Sequence, residues 1–331
     1  MHYRPLGNSG FDVSVLAFGA WQMGDAGYWG NSTASDIQST VDAALDAGIN
    51  LFDTAEMYGN GESERVLGRA LKGRRDSVLI ATKVSPENCA PAALRASCEA
   101  SLQRLGASVI DLYQVHWPPR DVPFADVCGA LERLREEGKI RTIGVSNFGV
   151  RDLGNWLAAG TCVSNQLGYN LLFRAIEWDI LPACFARGIG VMAYMPLMQG
   201  VLTGRWETID KIPVQRRRTR HFASDREGTR HDETGCEQAV LDALAGIRSI
   251  AREAGESMAT VALAWLIAKP GIACVVVGGR RPDQINRNLA AAELALDQSV
   301  IDELDRVTGR VKTHLGTNAD LWDSGAKSRI R

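Results

Sequence analysis

Gly48-Ile49-Asn50-Leu51-Phe52-Asp53-Thr54-Ala55-Glu56-Met57-Tyr58-Gly59-Asn60-Gly61-Glu62-Ser63-Glu64 passes from an apolar strand to a helix within seventeen residues. The strand spans 49–52 and breaks at Asp53. A polar, glycine-bearing loop follows. The helix then opens with Glu62, Ser63 and Glu64 in its first turn, where carboxylates favour the helix dipole. A buried strand that ends on a carboxylate, with a tyrosine five residues later, has the shape of a site. Gly59-x-Gly61-x-x-Glu64 nearly matches the dinucleotide fingerprint, but the third glycine, needed for close helix–strand packing, is absent. A Rossmann reading is therefore set aside.

Working outward, the same unit repeats. A small hairpin is predicted over 2–13, turning at Gly7-Asn8-Ser9-Gly10, and an apolar strand over 13–18 follows. Ser32-Thr33 caps a helix carrying Ile37, Val41, Ala44 and Leu45 at helical spacing and stopped by Gly48. Further strands are predicted over 78–82, 110–115, 142–145, 163–166, 190–193 and 272–277. Helices are predicted over 62–72, 90–105, 123–137, 150–158, 175–187, 236–254, 257–268, 282–293 and 297–308. The segments 20–31 and 196–235 read as irregular, and 309–331 as a polar tail.

The strands are continuous apolar runs rather than alternating ones. Such strands are buried on both faces, as in a parallel sheet covered by helices. Eight units in about 280 residues suit a closed (β/α)8 TIM barrel with an N-terminal β-hairpin and extra helices. No linker divides the chain, so 1–331 reads as a single domain with 309–331 as its C-terminal tail.

Composition narrows the function. The chain has 331 residues, 45% hydrophobic and 23% charged, enough for a sizeable core. A net charge of -2 gives no reason to expect nucleic acid or an anionic membrane as partner. No apolar run approaches the roughly 20 residues of a membrane span, and no signal peptide is read at the N-terminus. Seven scattered cysteines, without CxxC, suggest buried thiols in a reducing cytoplasm, with no disulfide framework and no metal site. Oligomeric state is left open.

Asp53, Lys83, His116, Asn147, Gln166, Tyr194 and Arg280 all fall at or just after the C-terminal ends of predicted strands. In a closed barrel these ends converge on one face, where active sites sit. Singly, each has a plain structural reading: a cap, a packed aromatic, an ion pair, a core histidine. An acid, a lysine and a histidine after successive strands, with Tyr58 nearby, argue against coincidence.

Asp53-x4-Tyr58-Gly59, Ala81-Thr82-Lys83, Asp111-Leu112-Tyr113-Gln114-Val115-His116-Trp117 and Gly144-Val145-Ser146-Asn147-Phe148 resemble the aldo-keto reductase superfamily. So do Tyr169-Asn170-Leu171-Leu172, Gly188-Ile189-Gly190 with Ala193-Tyr194, and Gly200-Val201-Leu202-Thr203-Gly204; the similarity runs from about residue 3 to 308. The resemblance implies a (β/α)8 barrel that binds a nicotinamide cofactor without a Rossmann fold. Its tetrad falls on Asp53, Tyr58, Lys83 and His116. Tyr58 is then the proton donor in carbonyl reduction. A free tyrosine has a pKa of about 10, and an adjacent ammonium would lower it. Lys83, held by Asp53, is expected to do this, and His116 to hydrogen-bond the substrate oxygen.

The resemblance also implies that Ser146, Asn147 and Gln166 hold the nicotinamide carboxamide and that Tyr194 stacks on the ring. Leu197, Gly200, Gly204 and Arg205 fall along the cofactor. Met195 stands where a serine is common, which removes one side-chain contact to the diphosphate. Gly278, Arg280, Gln284 and Asn288 fall at the adenosine 2'-phosphate and adenine end, where a helix N-terminus with arginines suits phosphate. Gly278-Gly279 replaces the lysine-serine pair common in NADPH-specific members, with Arg280 as the substitute cation. The expected cofactor is NADPH/NADP+, with NADH possible. Trp21, Tyr28, Trp29 and Trp117 are read as an open substrate pocket. Arg216-Arg217-Arg218-Thr219-Arg220-His221 is read as a solvated basic loop, within an insert that resembles the family's segment folding over the cofactor.

The reading is an NADP(H)-dependent oxidoreductase acting on an aldehyde, ketone or sugar carbonyl. The alternatives are a cofactor-loaded regulatory subunit resembling potassium-channel β subunits, and an NAD-linked sugar dehydrogenase working oxidatively. The sequence leaves the substrate unnamed.

Overall fold

The computed structural model describes residues 1–331. The N-terminal strands β1 (Tyr3–Pro5) and β2 (Asp12–Ser14) pair antiparallel. Eight parallel strands then close into a barrel: β3 (Leu16–Gly19), β4 (Leu51–Asp53), β5 (Leu79–Val84), β6 (Ile110–Val115), β7 (Ile140–Ser146), β8 (Ser164–Gly168), β9 (Gly190–Tyr194) and β10 (Ile272–Gly278). Neighbours follow chain order, and β10 bonds β3 to close the ring. The predicted strand over 13–18 is thus two elements. Val13 belongs to the hairpin, and the chain enters the barrel only at Leu16.

Side chains on a strand alternate between faces. Ala17, Leu51, Ala81, Leu112, Met192 and Val276 share one buried cluster with Leu6 and Val13 of the hairpin. This is the barrel interior, plugged from below by the hairpin. Gly7 shows how tightly: at φ +53° a Cβ there would lie 2.1 Å from the Val163 carbonyl oxygen. Two residues beyond those interior positions stand Gly19, Asp53, Lys83, Gln114, Tyr194 and Gly278. The period of two therefore turns the same strand faces from apolar filling to polar chemistry at the upper rim. A second cluster, of 79 buried residues, lies largely between barrel and helices.

Most helices match their predicted spans, among them Ala34–Asp46, Pro91–Leu105, Phe124–Glu136, Glu237–Glu253 and Met258–Ala268. Thr33 caps the first of these in a capping box with Asp36. The predicted helix over 175–187 is broken into a 3-10 turn, Ala175–Glu177, and a short α-helix, Ile180–Phe185. Asp179, at φ -148°, leaves the helical region between them. The loop over 20–31 contains two short helices, Trp21–Gly24 and Ala26–Trp29. The insert over 196–235 carries three 3-10 segments. The C-terminal segment is no loose polar tail. It forms a helix, Gly309–Leu315, and then folds back so that Asp320, Leu321 and Ile330 are buried. No helix is long and apolar enough to cross a membrane.

Candidate active site

Asp53 ends β4 and Lys83 lies in β5, both buried and both facing inward. The Lys83 Nζ donates to Asp53 Oδ1 at 2.9 Å, Asp53 Oδ2 at 2.7 Å and the Thr54 carbonyl at 2.8 Å. It approaches the Tyr58 hydroxyl at 3.4 Å. Burial pulls the Lys83 ammonium down, and the Asp53 charge opposes that. Tyr58 sits on the loop after β4, held by turn geometry. Gly59 is at φ +57°, and a Cβ there would lie 1.9 Å from the Gly24 carbonyl oxygen. Only glycine lets this loop lie against the 20–24 segment. Ser63 fastens the two loops, accepting from Thr54 at 2.8 Å and donating to the Ala20 carbonyl at 2.9 Å.

The His116 ring meets the Tyr58 ring edge-on, with centroids 5.6 Å apart. Its Nδ1 is buried without a hydrogen-bond partner. Burial, then the charges of Lys83 and Arg329, push its pKa well below 6.5. The imidazole is neutral at physiological pH and retains one N–H to donate. The four residues of the expected tetrad are thus brought together.

Tyr58 departs from the electrostatic expectation. Burial first, and the Asp53 charge second, hold its hydroxyl well above 10.0. The physical reason is that burial penalises the phenolate and the nearby Asp53 charge repels it, while Lys83, shared among Asp53, Thr54 and Tyr58, does not outweigh the two. Tyr58 is a protonated phenol here, not a lowered one.

Two further residues hold the pair. Gln166 Nε2 donates to Asp53 Oδ1 at 2.8 Å, and Gln114 Nε2 approaches the same oxygen at 3.4 Å. Gln166 was expected at a carboxamide; here its amide is turned onto Asp53. Gln114 was quoted in the strand motif without a role, although its place two residues before His116 puts it on the same strand face. Glu64 was read only as a first-turn carboxylate favouring the helix dipole. It is buried, accepting from Thr82 Oγ1 at 2.6 Å and from Arg104 Nε at 2.6 Å.

Ser146, Asn147 and Tyr194 form one network across β7, β8 and β9. Tyr194 Oη donates to Asn147 Oδ1 at 2.8 Å, and Asn147 Nδ2 donates to the His116 carbonyl at 3.0 Å. Ser146 Oγ donates to the Gln166 carbonyl at 2.9 Å. Asn147, Met195, Met198 and Gln199 all have positive φ, between 45° and 63°. Such strain outside glycine collects at functional sites.

On the other side, aromatics and arginines interleave. Trp21 stacks on Tyr28 at 5.1 Å and approaches Tyr58 at 5.8 Å. The Arg216 guanidinium lies 5.3 Å from the Trp29 ring and 5.7 Å from that of Trp206. Arg205 lies 5.6 Å from Trp206, and Arg218 5.5 Å from Tyr28. Arg280 Nη1 donates to the Trp29 carbonyl, and its backbone N–H to Gln284 Oε1 at 2.7 Å. None of these four arginines pairs with a carboxylate; their partners are carbonyls, Tyr28 and indole faces. Trp29 Nε1 is a buried donor without an acceptor. The arginine run is therefore not a solvated loop: Arg216 and Arg218 stack over aromatics, and Arg220 is buried against Glu233 and the carbonyls of Leu315 and Asn318. Trp29, expected in a substrate pocket, sits with Arg216 and Arg280. Gly200 and Gly204 are both at positive φ beside this cluster, and a Cβ on Gly200 would touch Trp206 and Arg216. Leu197 packs against the core, and Asn288 lies one helical turn beyond Gln284.

The expected pocket residue Trp117 lies apart from Trp21, against the C-terminal segment. Its ring meets Trp322 at 6.2 Å, and the Arg329 guanidinium lies 3.7 Å from its centroid.

A sequence model described as "Aldo/keto reductase family" matches residues 15–308. The chain is 33% identical over 295 residues to "Aldo-keto reductase YhdN" of Bacillus subtilis, covering 86% of this chain and 87% of the relative. It is 32% identical over 320 residues to the "NADH-specific methylglyoxal reductase" of Escherichia coli, covering 89% and 94%. Among solved structures, an aldo-keto reductase of Klebsiella pneumoniae in complex with NADPH superposes with a TM-score of 0.73, at 30% identity, over 93% of this chain and 96% of the other. The chain belongs to the aldo/keto reductase family, and with it to the oxidoreductases. These matches agree with the closed eight-stranded barrel described above.

Proposed function

We propose that this protein reduces an aldehyde, ketone or sugar carbonyl with a nicotinamide cofactor, using Tyr58 as the proton donor. The observation that carries the reading is the buried Asp53–Lys83 pair within 3.4 Å of a protonated Tyr58 hydroxyl, with neutral His116 beside it.

The residues present fit the cofactor. Arg205, Arg216 and Arg280, none paired with an acid, together with the free Trp29 Nε1, make a cationic, donor-rich end suited to phosphates. Asn147, Ser146 and Tyr194 make a fixed polar and aromatic face near His116. Gln166 joins that face to Asp53, so its amide has one edge on the carboxylate and one left for a carboxamide. When bound, the reduced nicotinamide supplies a hydride. The chain's own residues supply the rest. His116 donates its N–H to the carbonyl oxygen and favours the developing negative charge. Tyr58 gives its proton to that oxygen, and Lys83 stabilises the phenolate left behind. Asp53, Gln166 and Gln114 fix the ammonium so that it needs no reorganisation. Trp21 and Tyr28 exclude water from one side.

The arginine-rich end supports NADPH over NADH, with Arg280 beside the 2'-phosphate. NADH keeps support from the NADH-specific relative. The test is Tyr58→Phe. We expect turnover to fall by at least about a thousandfold, with NADP(H) affinity, read by fluorescence titration, within threefold of wild type. Full activity in that variant removes Tyr58 from the mechanism. Single-turnover oxidation alone, with no steady state over a carbonyl panel, would favour the regulatory-subunit reading.

A further inference from the structure

Residues 309–331 lie beyond the stretch matched by the family, yet their fold is closely determined. Asp320 is fully buried. It accepts from the backbone N–H groups of Trp322 at 3.1 Å and Asp323 at 3.3 Å, so it shapes its own turn. It also takes Arg329 in a fork, Nε at 2.9 Å and Nη2 at 2.9 Å. The chain end is tied down separately. Arg331 N–H donates to Asp152 Oδ2 at 2.8 Å, and Arg120 donates to Asp152 and to the Arg329 carbonyl.

Arg329 is thus a tethered cation lying over the ring of Trp117, the residue immediately after His116. Leu321, from the same segment, packs beside Gly168 and Tyr194. Asp320 and Asp323 occupy only the Nε and Nη2 edge of the guanidinium. Asp323 is itself shared with Arg230 at 3.1 Å, so the two acids are matched by two arginines. Nη1 of Arg329 makes no hydrogen bond, and the side chain is 37% exposed. A fixed guanidinium with one free edge beside a catalytic rim is suited to a carboxylate.

We propose that Arg329 is a specificity-determining residue that selects carbonyl substrates bearing a carboxylate, the free Nη1 edge receiving that group while the carbonyl lies at Tyr58 and His116. The proposal rests on the reductase reading of that site. It assigns the substrate class to a segment outside the matched barrel, with Trp117 as the platform.

The test compares 4-carboxybenzaldehyde with its methyl ester, which share one skeleton and differ in charge. With NADPH at low ionic strength, wild type should favour the acid by about tenfold in kcat/KM, through KM rather than kcat. Added salt should shrink the preference. Arg329→Met should erase it, so that acid and ester are used equally, and Arg329→Lys should retain part of it. Because Arg329→Met strands Asp320, Asp320→Asn/Arg329→Met is made alongside. Equal or better use of the ester by wild type overturns the proposal and leaves the reductase reading intact. If neither aldehyde is reduced, calorimetric binding of 4-carboxybenzyl alcohol against its methyl ester decides Arg329 alone: no preference for the acid overturns it.

Discussion

The two charged regions at the barrel rim are built on opposite plans. At Asp53 and Lys83, both charges come from strands, are buried, and neutralise each other within 2.7 Å. Around Arg205, Arg216, Arg218 and Arg280, most of the charges come from loops, lie on aromatic faces, and meet no carboxylate. The first region is complete within the chain. The second is stable only because indole and phenol faces and carbonyl oxygens substitute for counter-ions. The balanced Asp53–Lys83 pair fixes the position of the Tyr58 hydroxyl beside it. The unbalanced arginine cluster is the one proposed above to receive the cofactor phosphates.

Breaking the balanced region should have the larger effect. Lys83→Met leaves the Asp53 carboxylate buried without its counter-charge, which costs about 3–5 kcal/mol. We expect that loss in urea denaturation, with turnover abolished. Asp53→Asn/Lys83→Met should recover much of the stability and none of the turnover. If the double variant is as unstable as the sum of the two single variants, the pair is not coupled as described.

Removing one charge from the unbalanced region should leave stability nearly untouched and weaken cofactor instead. For Arg280→Ala, the loss of one charge-assisted hydrogen bond, about 1.5–3 kcal/mol, predicts a roughly 10- to 150-fold rise in NADPH Kd. NADH affinity should move less than threefold. Unchanged NADPH affinity would end the phosphate assignment. Arg216→Ala should act in the same direction on both cofactors, since its position between Trp29 and Trp206 suits the diphosphate.

The smallest expected effect concerns pH. His116 is held well below 6.5, and burial pushes His221 down to about 3. Both are depressed relative to the unfolded chain, so the unfolded state binds more protons below pH 6.5. Stability is then fully present above that pH and falls as pH drops through it, by up to about 1.4 kcal/mol per unit for each histidine. Thermal melts of His221→Asn and wild type between pH 7 and pH 5 check the slope. Equal slopes would remove His221 from the account. Because Tyr58 is held above its ordinary value, carbonyl reduction should show no loss of the proton donor up to about pH 9.

Legibility in the sequence followed the range of the interactions. Continuous apolar strands ending on Asp53, Lys83 and His116 disclose a barrel and its rim, because apolar runs and strand ends are local properties. The cap at Ser32-Thr33 and the glycine-bearing loop at Gly59 were readable for the same reason. Glu64 was not. A carboxylate in a first helical turn looks exposed until Thr82 and Arg104 arrive from other elements. The arginine run misled similarly, since nothing near 216–220 in sequence shows that Trp29 and Tyr28 lie underneath.

The sequence by itself determined the strand–helix repeat, the polar residues at the strand ends and the glycines that the turns require. These follow from side-chain chemistry at short spacing. Tertiary structure decided that Tyr58 is a protonated phenol, that Gln166 and Gln114 brace Asp53, and that the last residues fold back over Trp117. Each of those depends on which groups meet across distances of tens to hundreds of residues, where charge, burial and competition for hydrogen-bond donors are set by packing.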